Sequence, residues 1–268
     1  MNASFKKAFG IGGDGSGGDS GDGGGGAGAG AGGANAAAAA ESYDGFAVEE
    51  EDADMWGDWQ LERSQLTIKE AIGAGEYGEV HAGLLRGAGE FDGFVAKVAV
   101  KKLKQVDKSL DFFKEAKVMM NLRHQHLVNF YGVVVENDPL LIVSELCAIG
   151  CMKDYLQSPL GQTIQVPEMH RLLVEICSGM EHLEGQGYVH RDLAARNILL
   201  DENVGAKVAD FGMSREVVEG LYEAKEDAVC PIRWTAPEAM HYGKFSIKSD
   251  MWSYGITACE ILARGGDP

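Results

Sequence analysis

The sequence predicts an α+β fold made of two lobes, and three observations predict it. Short strand-like segments are concentrated between residues 61 and 146. Amphipathic and apolar helical segments dominate from residue 150 to residue 268. The residues before these two regions are mainly small or acidic and offer little to bury. A β-rich lobe followed by an α-rich lobe creates a cleft between them, and such clefts are where ligands usually bind.

The N-terminal segment, residues 1–58, is expected to be disordered. Residues 10–40 are almost entirely Gly and Ala, and an acidic stretch follows them. Glycine loses the most backbone entropy on folding and has no side chain to bury, so such a segment does not form a core. The folded domain is expected over 61–268, with its first lobe over 61–146 and its second over 150–268.

Hydrophobic periodicity predicts the elements of both lobes. Strands are expected in the first lobe near 66–73, 77–85, 94–103, 126–135 and 140–146. One helix is expected among them at 110–122, where apolar residues recur at helical spacing. Long helices are expected in the second lobe at 169–183 and 249–262.

Composition excludes several classes of partner. The chain has 24 basic and 41 acidic residues and a net charge of −17, so it is a poor general binder of nucleic acid or anionic lipid. No apolar run approaches the length of a membrane span, so no membrane segment is expected in this chain. The five cysteines form no CxxC pair and are expected to be reduced thiols of a cytoplasmic domain.

A glycine-rich stretch in the first lobe, GAGEYGEV, is the first candidate site. Gly73, Gly75 and Gly78 let backbone N–H groups approach phosphate oxygens, because no Cβ stands in the way. A dinucleotide-binding fold would need a helix directly after the glycines. The residues from Glu79 onward, with Val80 among them, are strand-like instead. We therefore interpret the stretch as the turn of a hairpin that covers phosphates.

The strand VAVK, residues 98–101, ends on a lysine. Alternation places Ala99 and Lys101 on one face, where the small Ala99 leaves room for a flat ring and Lys101 reaches toward phosphates. A lysine on an apolar strand is more commonly a surface residue whose stem covers apolar area. Glu115 on the predicted helix favours the functional interpretation, because its carboxylate would hold the ammonium in place.

Two polar motifs follow in the second lobe, HRDLAARN at 190–197 and DFG at 210–212. Strand-like residues between the motifs would bring the amide of Asn197 and the carboxylate of Asp210 together. Such hard oxygen ligands suit Mg²⁺, which keeps few protein ligands and shares the rest with phosphate and water. A lone DFG is a turn at least as often as a metal site, so the interpretation depends on the two motifs together.

These motifs occur in one order along the chain: glycine loop, VAVK, helical Glu, HRD with its Asn, DFG, and then APE at 236–238. In this order they closely resemble the eukaryotic protein-kinase catalytic domain, over residues 61–268. The resemblance implies a two-lobed kinase fold with a β-rich first lobe that carries one helix. It also implies that the partners are ATP, Mg²⁺ and protein substrates.

The resemblance assigns a role to each motif residue. It implies that Asp192 is the catalytic base that accepts the substrate hydroxyl proton. Lys101 would bind the α- and β-phosphates of ATP and pair with Glu115. Asn197 and Asp210 would bind Mg²⁺.

The resemblance also implies an ATP pocket. The glycine loop would cover the nucleotide, the backbone after the fifth strand would bond the adenine edge, and one leucine would lie beneath the ring. The residues that this assigns to the pocket are Ile72, Gly73, Gly75, Gly78, Val80, Ala99, Lys101, Glu145, Cys147 and Leu199.

Two stretches resemble the tyrosine-kinase branch of the family. Serine/threonine kinases carry a lysine two residues after the catalytic aspartate, where this chain has Ala194. The cation here is Arg196, four residues after Asp192, and a longer planar cation farther from the base leaves room for a phenol. The segment 231–238, PIRWTAPE, resembles the platform on which a substrate tyrosine ring lies. The resemblance therefore implies a protein tyrosine kinase, with Arg196 in its catalytic site.

Tyr222 lies 12 residues after Asp210, where the family carries its usual autophosphorylation tyrosine. A phosphate there would add about −2 charge and could pair with Arg191 and Arg215, which would order the loop. The alternative is that Tyr222 is an ordinary exposed tyrosine.

The chain ends at Pro268, whereas kinases resembling it continue for several more helices. A C-terminally truncated domain with an exposed apolar face is therefore expected. One alternative function is a catalytically impaired, kinase-like interaction module, and another is a fragment of a receptor tyrosine kinase. The expected location is cytoplasmic, either free or as the cytoplasmic part of a membrane receptor.

Overall fold

The computed structural model describes residues 56–75, 78–87, 93–103, 109–136, 139–218, 220–224 and 230–268. Almost all of the segment predicted to be disordered lies outside these ranges. Its last three residues, Trp56 to Asp58, are described, and they lead into two short 3₁₀ turns, Gly57–Trp59 and Arg63–Gln65. The described chain therefore begins slightly before the predicted boundary at residue 58.

The first lobe is a five-stranded antiparallel sheet in the order β1-β2-β3-β5-β4. Its strands are β1 (Leu66–Gly75), β2 (Gly78–Arg86), β3 (Val95–Leu103), β4 (Phe130–Val134) and β5 (Leu141–Glu145). The predicted strands are all present, but β4 is shorter than expected. The backbone just before it bonds to the second lobe instead, with the Val128 N–H donating to the Val208 carbonyl at 3.0 Å.

Strand β3 shows the alternation that the sequence predicts. Val98 and Val100 are fully buried in a cluster on one face of the sheet. Ala99 and Lys101 point to the other face and are only partly buried. This register turns Lys101 toward the cleft between the lobes.

Helix α1 (Ser109–Asn121) packs beside the sheet, close to its predicted position. Its buried residues Phe112, Ala116 and Met119 belong to the large core cluster that continues into the second lobe. Glu115 lies on the same buried side, next to Ala116. The helix therefore carries one carboxylate into the interior with its apolar face.

The second lobe contains four helices among the described residues: α2 (Met152–Gln157), α3 (Val166–Gly185), α4 (Pro237–Tyr242) and α5 (Ile247–Leu262). The two long predicted helices are confirmed as α3 and α5, each a few residues longer at its start. Capping explains the extension of α5, because the Ser246 hydroxyl accepts from the Lys248 N–H at 3.2 Å. In α3 the extra turn begins with Val166 and Pro167, and proline is tolerated at the first helical turn.

The described part of this lobe also contains seven short strands: β6 (Gly150–Cys151), β7 (Tyr188–Val189), β8 (Ile198–Leu200), β9 (Ala206–Val208), β10 (Arg215–Glu216), β11 (Tyr222–Glu223) and β12 (Lys244–Phe245). Strands β8 and β9 pair in register, with Ile198 opposite Val208. The Ala209 N–H then donates to the Asn197 carbonyl at 2.9 Å. This hairpin is the reason that the HRD and DFG motifs lie side by side.

Helix α5 exposes several large apolar side chains. Met251, Trp252 and Leu262 are about half exposed, at 54%, 47% and 57%. The opposite face of the helix is buried and polar, and its carboxylates bond the backbone of residues 190–195, as described below.

Two tryptophans before β1 attach the first residues to α1 and β4. The Trp56 ring lies 5.6 Å from the Phe113 ring on α1, and the Trp59 ring lies 5.2 Å from the Phe130 ring on β4. Trp56 is only 3% exposed and belongs to the main core cluster. The helix that carries Glu115 is thus packed from outside by residues that precede the sheet.

We expect Trp56→Ala to lower the free energy of unfolding by about 3 kcal/mol, because it removes a large buried ring from the core. The matched control is Trp252→Ala, at a half-exposed position on α5, which should cost about 1 kcal/mol or less. Chemical denaturation of the two variants measures both values. Equal losses would contradict the buried placement of Trp56.

Candidate active site

The glycine-rich stretch forms the predicted hairpin. Gly75 on β1 pairs with Gly78 on β2, and the two residues of the turn lie outside the described ranges. A Cβ on Gly78 would collide with the backbone carbonyl of Lys102 on β3, so only glycine fits there. Strands β1 and β2 continue from the turn as a lid at the edge of the cleft.

The side chains predicted to line an ATP pocket come from both lobes. Val80 on β2 lies opposite Lys101 on β3, and Ala99 lies opposite Ser144 on β5. Ile72 is half exposed at the end of the lid. Leu199 is partly buried on β8, in the second lobe. Val80 and Ala99 thus lie on neighbouring strands of the first lobe and Leu199 on a strand of the second, and their common role in a nucleotide pocket stays a prediction.

The connection between the lobes follows β5. The Cys147 side chain is buried in the core, and burial raises the pKa of its thiol to about 12. This thiol therefore stays protonated at neutral pH. Because the side chain points inward, the contribution of Cys147 to a nucleotide site is limited to its backbone.

The Glu145 side chain does not point into the cleft. Its carboxylate accepts from the backbone and side-chain nitrogens of Asn129 at 3.2 and 2.9 Å, and lies 3.1 Å from the Lys207 ammonium. Lys207 is 7% exposed and also donates to the Gln125 carbonyl at 2.8 Å. Lys207, which no sequence motif assigned to the site, ties the connection between the lobes to β9. Its position three residues before the DFG motif is the feature of the sequence that could have indicated this residue.

Lys101 and Glu115 form the ion pair that the sequence analysis predicted. The Lys101 ammonium lies 2.7 Å from both carboxylate oxygens of Glu115. It also lies 3.9 Å from an Asp210 oxygen. Through these two contacts, Lys101 connects β3 to α1 and to the DFG motif.

Burial raises the pKa of the Glu115 carboxyl above its ordinary value, and Lys101 opposes this by favouring the charged form. Acidification should therefore protonate Glu115 above pH 4.5 and break the ion pair, so that activity falls there. The free energy of unfolding should instead increase on acidification. The folded state binds this proton more tightly than the unfolded chain does, so the Glu115 contribution to stability increases as pH falls through the raised pKa.

Melting curves against pH, measured without nucleotide, test this coupling in the wild type and Glu115→Gln. The melting temperature of the variant should lose the part of its pH dependence that comes from residue 115. The difference in melting temperature between the wild type and the variant should therefore narrow as the pH falls. Two parallel curves would show that the Glu115 pKa is the same in the folded and unfolded chains.

The catalytic loop gathers three predicted residues around one carboxylate. An Arg196 guanidinium nitrogen contacts one oxygen of Asp192, and the Asn197 amide donates to the other at 2.7 Å. The same amide donates to the Asp192 backbone carbonyl, also at 2.7 Å. Both oxygens of Asp192 are therefore oriented by donors, and the carboxylate remains partly exposed to the cleft.

Helix α5 holds the start of this loop through Asp250. Its carboxylate accepts from the backbone N–H groups of His190 and Arg191 at 2.7 and 3.0 Å. Arg191 has a φ of 73°, which costs energy for a residue with a side chain. Asp250 is 2% exposed, and burial raises the pKa of its carboxyl. The two backbone bonds thus hold a strained conformation next to Asp192.

His190 links the catalytic loop to the DFG motif. Its Nδ1 accepts from the Asp192 N–H at 3.2 Å, so its Nε2 carries the proton and donates to the Ala209 carbonyl at 3.1 Å. The His190 ring also lies 5.7 Å from the buried Phe211 ring. The neutral imidazole therefore connects the catalytic loop to the residue before the DFG motif.

Asn197 and Asp210 offer oxygens suited to a hard divalent cation. The Asn197 amide nitrogen is used by Asp192, which leaves its oxygen as a possible ligand. Asp210 has a φ of 60° and a side chain that is 43% exposed. Within the described ranges, no group of three His, Cys, Asp or Glu residues forms a closed metal cage. Two oxygen ligands on an open site fit a cation that shares its other positions with phosphate.

The segment 231–238 lies against the catalytic loop. The Arg196 guanidinium stacks over the Trp234 ring, 4.6 Å from its centroid. Ala194, two residues after the catalytic aspartate candidate, is fully buried. The cation next to Asp192 is therefore fixed on an aromatic platform.

Tyr222 is partly buried in strand β11, which pairs with β12, and it packs against a small core cluster that includes Phe245. The Arg191 guanidinium lies 4.8 Å from the Tyr222 ring and 4.3 Å from the Phe245 ring. The structure therefore brings Tyr222 and Arg191 together through the ring face. Arg215 lies two residues after Met213, whose carbonyl accepts from Arg191.

Comparison with known proteins decides the family. The family model described as protein tyrosine and serine/threonine kinase matches residues 66–268. The chain belongs to this family. The two-lobed kinase fold expected from the sequence is thereby confirmed. Membership in this family implies ATP as the phosphoryl donor, a divalent cation and protein substrates.

The similar proteins are named as tyrosine kinases. Tyrosine-protein kinase SRK3 of Spongilla lacustris is 41% identical over 212 residues, which is 79% of this chain and 61% of SRK3. Human tyrosine-protein kinase FRK is 40% identical over 78% of this chain and 41% of its own length. Human cytoplasmic tyrosine-protein kinase BMX is 40% identical over 79% of this chain and 30% of its own length.

This kinase chain therefore spans about three fifths or less of the curated relatives it matches. In the part of the chain that the structure describes, no helix is long and apolar enough to cross a membrane.

Proposed function

We propose that this chain is a protein tyrosine kinase that transfers the γ-phosphate of Mg²⁺-bound ATP to tyrosine hydroxyls of protein substrates. The observation that carries the proposal is the Asp192 carboxylate, which Arg196 and Asn197 orient. The relatives support tyrosine as the acceptor, since all those compared are named tyrosine-protein kinases.

Each residue of the cleft has a task in this reaction. Asp192 accepts the proton of the attacking hydroxyl, and Asn197 holds its carboxylate in the required orientation. Lys101, positioned by Glu115, binds the α- and β-phosphates. Asn197 and Asp210 would hold Mg²⁺, which would neutralise charge on the phosphates. Catalysis on this view is mainly positioning and electrostatic stabilisation.

The ATP pocket is formed by the predicted residues of the two lobes. The glycine hairpin covers the phosphates, and Ile72, Val80, Ala99 and Leu199 enclose the adenine from both lobes. The backbone of the segment 145–147 bonds the adenine edge, because the Glu145 and Cys147 side chains are turned away.

Acceptor choice follows from the position of the cation. Arg196 reaches Asp192 from the Trp234 platform, and no cation stands two residues after Asp192, because Ala194 occupies that position. The space beside the base can therefore hold a phenol ring. Serine/threonine specificity is the less favoured alternative, because it would place a lysine at position 194.

We also propose that Tyr222 is an autophosphorylation site. A phosphate on the Tyr222 hydroxyl would add negative charge near Arg191, whose guanidinium already lies 4.8 Å from the Tyr222 ring, and could also pair with Arg215. Arg191 supports this, because its Nε is buried without a hydrogen-bond partner among the described residues. The new contacts would order the segment around β11.

The proposed location is the cytoplasm, either free or as the cytoplasmic part of a receptor. The word cytoplasmic in the name of the BMX relative supports the first possibility. The acidic net charge supports protein rather than nucleic acid partners.

Phosphotyrosine formation tests the proposed reaction. The purified chain is incubated with Mg²⁺-ATP and a poly(Glu,Tyr) acceptor, with Asp192→Asn as the control, and phosphoamino acids are separated. Phosphotyrosine that disappears in the control is the expected result. Phosphoserine could form only on the chain itself, because the acceptor contains no serine, and its appearance there would indicate serine specificity. A folded wild-type chain that binds ATP without transfer would support the alternative, a kinase-like interaction module.

A further inference from the structure

Glu260 is a buried carboxylate in the last turn of α5 that no motif assigns. It is 1% exposed. One of its oxygens accepts from the Ala195 backbone N–H at 2.9 Å and from the Trp234 indole N–H at 2.8 Å. A single oxygen therefore joins the catalytic loop to the segment 231–238.

Two other residues on the same face of α5 fix the same two segments. The Ser253 hydroxyl donates to the Trp234 carbonyl at 2.8 Å, and the Thr257 hydroxyl lies 3.3 Å from the Leu193 carbonyl. Spacings of four and three residues place Ser253, Thr257 and Glu260 along one stripe of the helix. The Ser253 hydroxyl thus holds the backbone of the segment 231–238, whereas the Thr257 hydroxyl has its shorter bond, 2.8 Å, to the Ser253 carbonyl within the helix. Glu260 alone among the three holds the Trp234 ring.

The Trp234 ring is the surface on which Arg196 lies. The guanidinium is 4.6 Å from the ring centroid, and one of its nitrogens contacts the Asp192 carboxylate. A tilt of the indole would therefore shift Arg196 and change how it approaches Asp192. The bond from the indole to Glu260 is the contact that prevents this tilt.

We propose that Glu260 is a positioning residue for the tyrosine acceptor. It fixes the plane of Trp234, Trp234 supports Arg196, and Arg196 limits the space beside Asp192 in which the phenol lies. This inference rests on the proposed tyrosine-kinase function. Loss of Glu260 should affect binding of the acceptor and not binding of the nucleotide, because the Lys101–Glu115–Asp210 contacts do not involve Glu260.

Three variants separate the parts of this arrangement. Glu260→Gln keeps the size and one acceptor oxygen, Glu260→Leu removes both acceptors, and Trp234→Phe keeps an aromatic face for Arg196 but removes the indole donor. We expect Glu260→Leu to raise the KM for a tyrosine peptide about tenfold. Trp234→Phe should raise it about threefold, and Glu260→Gln should stay within about twofold of the wild type. The KM for ATP should change less than about twofold in all three.

An equal rise in both KM values would overturn the proposal, because it would indicate general disturbance rather than acceptor positioning. An unchanged peptide KM in Glu260→Leu would overturn it as well. Should Glu260→Leu fail to fold, Trp234→Phe decides the question in the same way, since its peptide KM must rise while its ATP KM does not.

Indole NMR of the ¹⁵N-labelled chain gives a readout that does not depend on activity. The chain has four tryptophans, and the resonance missing from Trp234→Phe identifies Trp234. Exchange of the carboxylate for an amide in Glu260→Gln should shift that resonance and leave the other three in place. An unmoved resonance would refute the Glu260 contact even if the wild type phosphorylates nothing. A silent wild type with a shifted resonance would refute the proposed function alone.

Discussion

Asp192→Asn is expected to lower kcat for tyrosine phosphorylation by about 10²- to 10⁴-fold, the range for loss of a general base. Asparagine has one acceptor oxygen, whereas the Asp192 carboxylate accepts from both Arg196 and Asn197. In the variant, either Arg196 or Asn197 would therefore face the NH₂ group of the asparagine, which cannot accept a hydrogen bond. The attacking hydroxyl would also lose the group that takes its proton.

ATP affinity should stay within about twofold of the wild type, because the Asn197 amide keeps its 2.7 Å bond to the backbone carbonyl of residue 192 and the proposed cation ligand therefore stays in place. The matched control is Asp58→Asn, the same change at an exposed position before β1, which should leave kcat unchanged. Measured kcat and nucleotide Kd for both variants test the assignment. Near wild-type turnover in Asp192→Asn would mean that another group accepts the proton.

Asp250→Asn is expected to lower the free energy of unfolding by about 3 kcal/mol and to reduce activity as well. The Asp250 carboxylate serves the N–H groups of both His190 and Arg191, and an amide can accept only one of them with its oxygen. The other buried N–H would be left unsatisfied. Arg191 would then be free to leave its left-handed conformation, and the loop that carries Asp192 would shift.

Thermal unfolding measures the loss of stability, which corresponds to a fall of about 6 to 12 °C in Tm for a domain of this size. Glu184→Gln provides the control, since Glu184 is an exposed carboxylate on α3 and its replacement should cost about 0.5 kcal/mol or less. A Tm shift no larger than that of the control would show that Asp250 does not anchor the loop.

The residues of the candidate site could largely be predicted from the sequence, because kinase chemistry uses particular residue types at short spacing. Lys101 at a strand end and Asp192 with Asn197 in one loop are local patterns. Strand alternation alone placed Lys101 on the face opposite Val98 and Val100. Their roles remain predictions that the variants above test.

The residues that support the site could not be predicted in this way. Glu260 reaches Ala195 across 65 positions of the chain, and Asp250 reaches His190 across 60. Lys207 reaches the Gln125 carbonyl across 82. In the sequence each of these is a charged residue within or beside an apolar segment, which is also the pattern of an ordinary surface position.

The elements, the order of the motifs and the types of side chain in the site can be predicted from the sequence, because they depend on periodicity and on spacing within a few residues. Three contacts become evident only in the folded chain: Trp56 packs on α1, Glu145 turns toward Asn129, and Glu260 joins Trp234 to the catalytic loop. These contacts depend on how the helices and strands pack together, since burial and a specific partner arise only when distant segments meet.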